Sequence, residues 1–319
     1  MGKKLFNIVR IVLTLLFLYF VFRKIEFSLL KDAFISSDKM MVVWAFILFM
    51  VNTVLMTLRI STLFKVFPQK LSFLKVLRYY LIGLFFNQAL PTAVGGDAVK
   101  GYKLGKAVND VPSGLLITFI DRLLGLLTML VYLFVAILIG GASYLKGNSL
   151  YLLGGFGAIC IVLTIMIFST RLSGMVYRIF FKPFEDKIKF LHRIKESYRF
   201  FLKTKDQKKL YYIALAYSFA AQLALILAVS LLGTGLEGVT LAVEQYFIVM
   251  PIIFVVSMIP ISVGGFGVRE QAFVSLLALY GIGKIPALAL ALLYVGLYIL
   301  MCIPGGVLYL FGEKEKIDG

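Results

Sequence analysis

The sequence predicts an all-α protein that crosses a membrane several times. Of its 319 residues, 61% are hydrophobic and only 15% are charged, whereas soluble proteins are roughly 45 to 50% apolar and 25% charged. Several apolar runs are long enough to cross a bilayer, and two of them contain matched Pro and Gly interruptions. We therefore expect about six full spans plus two re-entrant helical hairpins, arranged as inverted repeats.

The apolar runs give the expected spans in chain order. The first, Leu5 to about Phe22, follows a short basic segment without a small-residue cleavage site, so we expect an uncleaved helix. The later runs are Met40 to Phe64, Leu71 to Leu90, Pro112 to Ile139, Leu150 to Ser169, Leu210 to Leu232, Ala242 to Pro260 and Ile285 to Phe311. A weaker stretch, Gln271 to Tyr280, is too short to cross alone.

The distribution of charge predicts the orientation. The net charge is +17, but a soluble nucleic-acid binder would not also contain runs of spanning length, so no nucleic-acid partner is expected. Residues 171–209 carry twelve basic side chains, whereas residues 232–245 carry none. The positive-inside rule then places residues 171–209, together with both termini, on the cytoplasmic side of the cell membrane.

The spans and their orientation predict that the chain has three parts. Residues 1–169 form a first membrane half with a re-entrant break at 87–106, and residues 210–319 form a second half with a break at 258–283. Between them, residues 170–209 form a basic cytoplasmic loop. The loop is either a topology signal with a surface-lying helix, or a site for anionic headgroups or a partner enzyme.

The two breaks share a sequence pattern. Pro91 and Pro260 are each followed by two glycines at the fourth and fifth positions, valine at the eighth and a base at the ninth. The matched residues are Gly95, Gly96, Val99 and Lys100 in the first break, and Gly264, Gly265, Val268 and Arg269 in the second. Proline and glycine interrupt helices, and the N-termini of half-helices attract anions. The pattern favours a central transport site, the alternative being two ordinary proline kinks.

Six ionisable residues are predicted at membrane depth, where each costs roughly 2.5 to 3.5 kcal/mol. They are Asp97, Lys100, Asp121, Arg122, Arg269 and Glu270. Two interpretations stay open: ion pairs between helices, or bases that a phosphate headgroup shares with the carboxylates. Arg59 and Glu244 lie near the ends of spans and are expected to extend toward the membrane surface.

Other polar residues give weaker indications. Four amides lie in apolar runs, where single amides more often hold helices together than line a path; they are Asn52, Asn87, Gln88 and Gln222. The two cysteines, Cys160 and Cys302, are also in apolar runs, and His192 is the only histidine. No disulfide framework, metal site, cofactor or Ser/His/Asp catalysis is therefore expected.

At these motifs the sequence resembles the transmembrane domain family of lysylphosphatidylglycerol synthases, a flippase-like domain. The resemblance rests on Leu90-Pro91 with Gly95-Gly96-Asp97 and Lys100, on Asp121-Arg122-Leu123-Leu124-Gly125, and on Pro260 with Gly264-Gly265-Phe266-Gly267-Val268-Arg269-Glu270. Lys100 stands where arginine is more usual. The resemblance implies movement between leaflets of a phosphate-bearing lipid, such as an aminoacyl-phospholipid or a polyprenyl-phosphate-linked sugar, with a synthase or glycosyltransferase as partner.

The candidate substrate-binding residues are taken from these motifs. They are Pro91, Gly95, Gly96, Asp97, Lys100, Asp121, Arg122, Pro260, Gly264, Gly265, Arg269 and Glu270. The alternative is a membrane-embedded enzyme or an accessory subunit of lipid aminoacylation or glycosylation. An enzyme needs a carboxylate free of a salt bridge. With eight residues after Phe311, we expect no transferase domain and no lysyltransferase activity.

Overall fold

A computed structural model describes residues 27–90, 95–144, 207–257 and 267–311. Within these ranges the chain is helical and contains no strand. Four helices are long and apolar enough to cross a membrane: Lys39–Val66, Val111–Gly140, Lys208–Thr234 and Lys284–Phe311. The predicted all-α, polytopic class is confirmed. The runs Leu5 to Phe22 and Leu150 to Ser169, with most of the basic loop, lie outside the described residues, and the span count stays a prediction.

The described helices are α1 (Phe27–Ser36), α2 (Lys39–Leu63), α3 (Phe73–Ala89), α4 (Gly95–Ala107), α5 (Val111–Tyr144), α6 (Lys208–Thr234), α7 (Val243–Ser257), α8 (Val268–Ala278) and α9 (Lys284–Phe311). All but α1 and α4 follow predicted apolar stretches. Helix α1 lies between the first two predicted spans, where no helix was predicted, and α4 lies almost entirely within the predicted break at 87–106. A 3₁₀ turn, Phe64–Val66, continues α2. The weak stretch near Gln271 is a separate short helix, α8, in agreement with its predicted length.

Helices α3 and α4 form an antiparallel hairpin around the first break. The Gly96 amide donates a hydrogen bond to Asn87 Oδ1 at 2.9 Å, the Lys100 ammonium lies 5.1 Å from the Tyr80 ring centroid, and Lys103 lies 5.6 Å from that of Tyr79. Residues further along α4 thus meet residues earlier in α3. The chain reverses direction at the break.

Glycines let α4 pack closely on α5. A Cβ on Gly105 would lie 2.8 Å from the Asp110 carbonyl oxygen, and one on Gly101 would lie 3.0 Å from Thr118 Oγ1. The Gly-x-x-x-Gly spacing of Gly101 and Gly105 faces Gly114 on α5, the small-residue packing typical of membrane helices. This contact joins the second half of α4 to the beginning of α5, so that the start of α4 lies beside Asp121 and Arg122 further along α5.

The helices fall into two sets with the same packing pattern. The first set is α2 to α5 and the second is α6 to α9. In each set all three consecutive pairs of helices pack together: α2 on α3, α3 on α4 and α4 on α5 in the first set, and α6 on α7, α7 on α8 and α8 on α9 in the second. Across the sets, α3 packs on α9 and α7 packs on α5. Exchanging the two sets leaves this pattern unchanged, as a two-fold repeat requires.

The two sets are inverted relative to each other. The corresponding helices α2 and α6 pack directly; the Asp38 amide donates to the Gly235 carbonyl at 2.8 Å, and Asn52 Nδ2 to the Ala221 carbonyl at 2.8 Å. Further along α2, Arg59 Nη1 donates to Ser218 Oγ at 2.9 Å. Rising positions in α2 meet falling positions in α6. Equivalent helices therefore run in opposite directions.

Candidate functional site

A cavity of about 150 Å³ lies where the two sets meet. The end of α3, the start of α4, the end of α7 and the start of α8 all contribute to its wall. Its polar and aromatic lining consists of Arg59, Tyr80, Asn87, Gln88, Asp97, Lys100, Asp121, Arg122, Phe254, Ser257, Arg269, Tyr294 and Tyr298. The remaining wall is apolar or glycine, including Gly83, Gly125 and Met250. Two interruptions far apart in the sequence are thus brought to one site.

An ion-pair network occupies the first-set side of the cavity. Asp121 accepts from Arg59 Nε at 2.6 Å through one oxygen and lies 3.4 Å from Lys100 Nζ through the other. Lys100 also lies 3.0 Å from Asp97 Oδ1, and the other oxygen of Asp97 pairs with Arg122. The network joins α2, α4 and α5 and contains three bases and two acids. The predicted charges at membrane depth do pair with one another.

Arg59 corrects a prediction. We expected it to extend toward the membrane surface, but it is only 1% exposed. Its guanidinium is held by Asp121 and by Ser218 of α6, so α5 and α6 enclose the end of α2. Sequence reasoning missed it as a site residue, although a buried acid such as Asp121 requires a base. Glu244 is exposed, as expected.

Arg269 supplies the charge on the second-set side. It is 5% exposed, and its guanidinium carbon lies 5.4 Å from the Tyr294 ring centroid and 5.9 Å from that of Tyr298. Glu270 lies beside it, with Oε1 3.6 Å from Arg269 Nη2. The matched residues Lys100 and Arg269 therefore both line the cavity, and each lies over tyrosine rings of a neighbouring helix.

The tyrosines were also missed from the sequence. Tyr294 and Tyr298 are four residues apart and share a face of α9, while Tyr80 comes from α3. A tyrosine in an apolar helix gives no indication beyond this spacing. Only the position of the two bases shows that these rings belong to the site.

The described lining carries more positive than negative charge. Four bases (Arg59, Lys100, Arg122 and Arg269) and two acids (Asp97 and Asp121) give 4 − 2 = +2. Electrostatic attraction is stronger in an apolar interior than in water. Guanidinium groups bind phosphate and carboxylate oxygens in matched geometry. The cavity is thus suited to an anion, with the carboxylates holding the bases in position.

Glycine is required where the first hairpin closes. A Cβ on Gly96 would overlap the Gly83 carbonyl oxygen and lie 2.7 Å from Asn87 Cγ. Two backbone amides at the breaks already have hydrogen-bond acceptors: the Gly96 amide donates to Asn87, and the Gly267 amide donates to the Glu270 side chain. Gly267, at φ 85°, occupies a conformation that favours glycine.

Some predicted site residues cannot be placed. Pro91, Pro260, Gly264 and Gly265 lie outside the described residues. Gly95 begins α4 and is half-buried. Asp97, Lys100, Asp121, Arg122 and Arg269 line the cavity, and Glu270 lies beside it.

Comparison with known proteins gives the same family as the sequence motifs around the two breaks. The family model described as the lysylphosphatidylglycerol synthase TM region matches residues 7–306. A UPF0104 membrane protein of Pyrococcus horikoshii is 29% identical over 342 aligned positions, which cover 100% of this chain and 99% of the relative. No solved structure matches the chain. The match extends over both helix sets and the cavity between them, and the chain belongs to the lysylphosphatidylglycerol synthase transmembrane-region family.

Proposed function

We propose that this protein moves a phosphate-bearing lipid between the leaflets of the cell membrane, binding the headgroup in the cavity between the two helix sets. The observation that carries the proposal is the excess of buried bases at the point where both broken hairpins meet. An aminoacyl-phospholipid or a polyprenyl-phosphate-linked sugar has the required phosphate. The proposal includes a cytoplasmic position for both termini.

The chemistry of the cavity supports a phosphate ligand. A phosphodiester that leaves water loses its hydration, which costs many kcal/mol unless other donors replace it. Arg122 and Arg269 lie on opposite helix sets and both line the cavity. A phosphate between them would exchange water for guanidinium N–H groups. The lipid tails would stay in the apolar phase outside.

The inverted repeat supports transport over a static role. In inverted-repeat transporters, substrate sites lie at the interface of the two repeats, near broken helices, and rocking of one repeat against the other gives alternating access. This protein has its cavity at that interface. In this proposal the α3/α4 and α7/α8 hairpins are re-entrant and enter the membrane from opposite sides.

No described feature favours the enzyme alternative. That alternative requires a carboxylate free of a salt bridge. Asp97 and Asp121 each contact two bases, and Glu270 caps α8 through the Gly267 amide. Each of these carboxylates already has a positioning role.

The test is lipid movement in vesicles containing the purified protein, with fluorescent phospholipids and polyprenyl phosphates. Arg269→Gln should abolish movement without unfolding the protein, because it removes the base of the second set. Gln271→Leu, an exposed change two residues away on the same helix, is the matched control. Gly96→Val, which pushes α3 from α4, and Gly265→Val should behave alike. The proposal is contradicted if folded Arg269→Gln and Gly96→Val move every lipid that the wild-type protein moves, at the same rate. If the wild-type protein moves none of the lipids, the accessory-subunit alternative is favoured.

A further inference from the structure

Two buried amides beside the cavity have unmet hydrogen-bonding capacity. Gln222 is 1% exposed, and neither its Oε1 nor its Nε2 has a hydrogen-bond partner in the described part of the chain. Gln88 lines the cavity, is 5% exposed, and has no partner for Oε1 among the described residues. Leaving a buried polar group unsatisfied is costly, so each such group requires an explanation.

Gln222 lies directly behind the cavity wall at Gly125. Gly125 lines the cavity, and a Cβ built on it would lie 3.4 Å from Gln222 Nε2 and 3.2 Å from Arg59 Nη1. Because Gly125 has no side chain, only its backbone separates the Gln222 amide from the cavity, next to the guanidinium of Arg59, which lines it. Any larger residue would cover both.

The other two amides in the apolar runs do not share this property. Asn52 donates to the Ala221 carbonyl at 2.8 Å, and Asn87 accepts from the Gly96 amide at 2.9 Å. Both hold helices together, as expected for single amides in membrane proteins. Gln88 and Gln222 are therefore distinguished by their position at the cavity and by their missing partners.

The chemistry of the amides defines the group that they would bind. Gln222 presents a donor and an acceptor together, and Gln88 presents an acceptor. A hydroxyl group satisfies both kinds of site, since it donates one hydrogen bond and accepts others. An ionised phosphate oxygen has no hydrogen to donate to an acceptor, and a quaternary ammonium can neither donate nor accept a hydrogen bond. We infer that Gln88 and Gln222 form a hydroxyl-binding subsite, so that the lipid headgroup carries hydroxyl groups next to its phosphate, as in a polyol or sugar phosphate.

This inference rests on the proposed function and narrows its substrate. The four bases would bind the phosphate of any anionic lipid, whereas the amides would discriminate among headgroups of equal charge. A site that hydrogen-bonds a substrate hydroxyl disfavours an analogue without it, because its own polar groups are then left unpaired.

The test compares two short-chain lipids with the same phosphodiester charge. Dioctanoyl phosphatidylglycerol has a headgroup with hydroxyls, and dioctanoyl phosphatidylmethanol has none. Binding to the intact protein in detergent is measured by native mass spectrometry. With one net hydrogen bond worth roughly a fivefold change in affinity, wild type should prefer the hydroxylated lipid by about 5- to 25-fold.

Three variants should remove this preference by weakening binding of phosphatidylglycerol more than binding of phosphatidylmethanol. Gln222→Met and Gln88→Met replace the amides with apolar side chains of similar size, and Gly125→Ala covers Gln222 with a methyl group. Gln271→Met, on an exposed glutamine bonded to Ser275, is the control and should keep the preference. Because Gln88 and Gln222 lie on different helices, a folding failure of one variant leaves the other as the test.

The outcomes separate this inference from the proposed function. Equal binding of the two lipids by wild type, as expected if water satisfies the amides, would overturn the hydroxyl subsite and leave the anionic-lipid proposal intact. A wild-type preference that survives in the folded variants of Gln88, Gln222 and Gly125 would also overturn it. Failure of wild type to bind either lipid would count against the proposed function itself and the subsite with it.

Discussion

Removing the charge of Asp121 and removing that of Arg59 from the buried ion-pair network are predicted to lower the stability of the protein by different amounts. The network of Arg59, Lys100, Arg122, Asp97 and Asp121 has a formal charge of 3 − 2 = +1. Asp121→Asn raises this to +2 and takes the carboxylate from two bases at once. Arg59→Met lowers it to zero and leaves Asp121 paired with Lys100 at 3.4 Å. We therefore expect Asp121→Asn to be the more destabilising change.

The magnitude follows from burial. Asp121 is 2% exposed and Arg59 is 1% exposed, so neither group can recover its hydration in the folded state. Removing one partner of a buried pair costs about 3 to 5 kcal/mol, because the other charge is left uncompensated. At about 2 °C per kcal/mol, the melting temperature of Asp121→Asn should fall by roughly 6 to 10 °C. Arg59→Met should lose less than half of that.

Thermal unfolding in detergent measures both variants, with exposed Glu244→Gln as the control. A phosphate-bearing lipid should raise the melting temperature of Asp121→Asn more than that of wild type, since the bound anion replaces the missing negative charge. Equal melting temperatures for Asp121→Asn and wild type, or a larger loss for Arg59→Met, would refute the electrostatic reasoning.

Two further predictions concern packing and topology. Gly114→Ala should lower the melting temperature by several degrees, because the new methyl overlaps Gly105 and overpacking costs about 1 to 3 kcal/mol. The control Gly283→Ala should leave it unchanged, since the nearest atom to the new methyl would be 3.7 Å away. Equal melting temperatures for the two variants would contradict the close α4–α5 contact. The topology can be tested with single cysteines in a protein whose Cys160 and Cys302 have been replaced. Cysteines at the exposed positions Lys75 and Asn109, at the two ends of the α3/α4 hairpin, should both be labelled from the cytoplasm, and one at exposed Glu237 from the opposite side. Labelling of Lys75 and Asn109 from different sides would rule out the re-entrant hairpin.

The sequence was sufficient to predict most of the described helices, although α1 was not predicted. Spanning length is set by bilayer thickness, and proline with glycine marks where a helix is interrupted. These are local properties of the chain. The match between Lys100 and Arg269 also holds in space, because corresponding positions in a two-fold repeat meet at the same interface.

The contents of the cavity were harder to predict because they depend on contacts between distant segments. Arg59 was assigned to the membrane surface from its place near the end of a span, but Asp121 and Ser218 enclose it from two other helices. Asn52 and Gln222 cannot be told apart in the sequence. Only the structure shows that the first amide has a hydrogen-bond partner and that the second has none among the described residues.

The two sets share a backbone pattern but differ in their chemistry. The first contributes the whole ion-pair network from α2, α4 and α5, whereas the second contributes Arg269 beneath two tyrosines and the unsatisfied Gln222. Among the described residues, this network lies within the first set and holds its helices together. Hydrogen bonds such as Arg59 to Ser218, together with apolar packing, join the sets instead. In the proposed mechanism, the two sets move against each other without breaking the ion pairs of this network, while the phosphate is held between the bases of both.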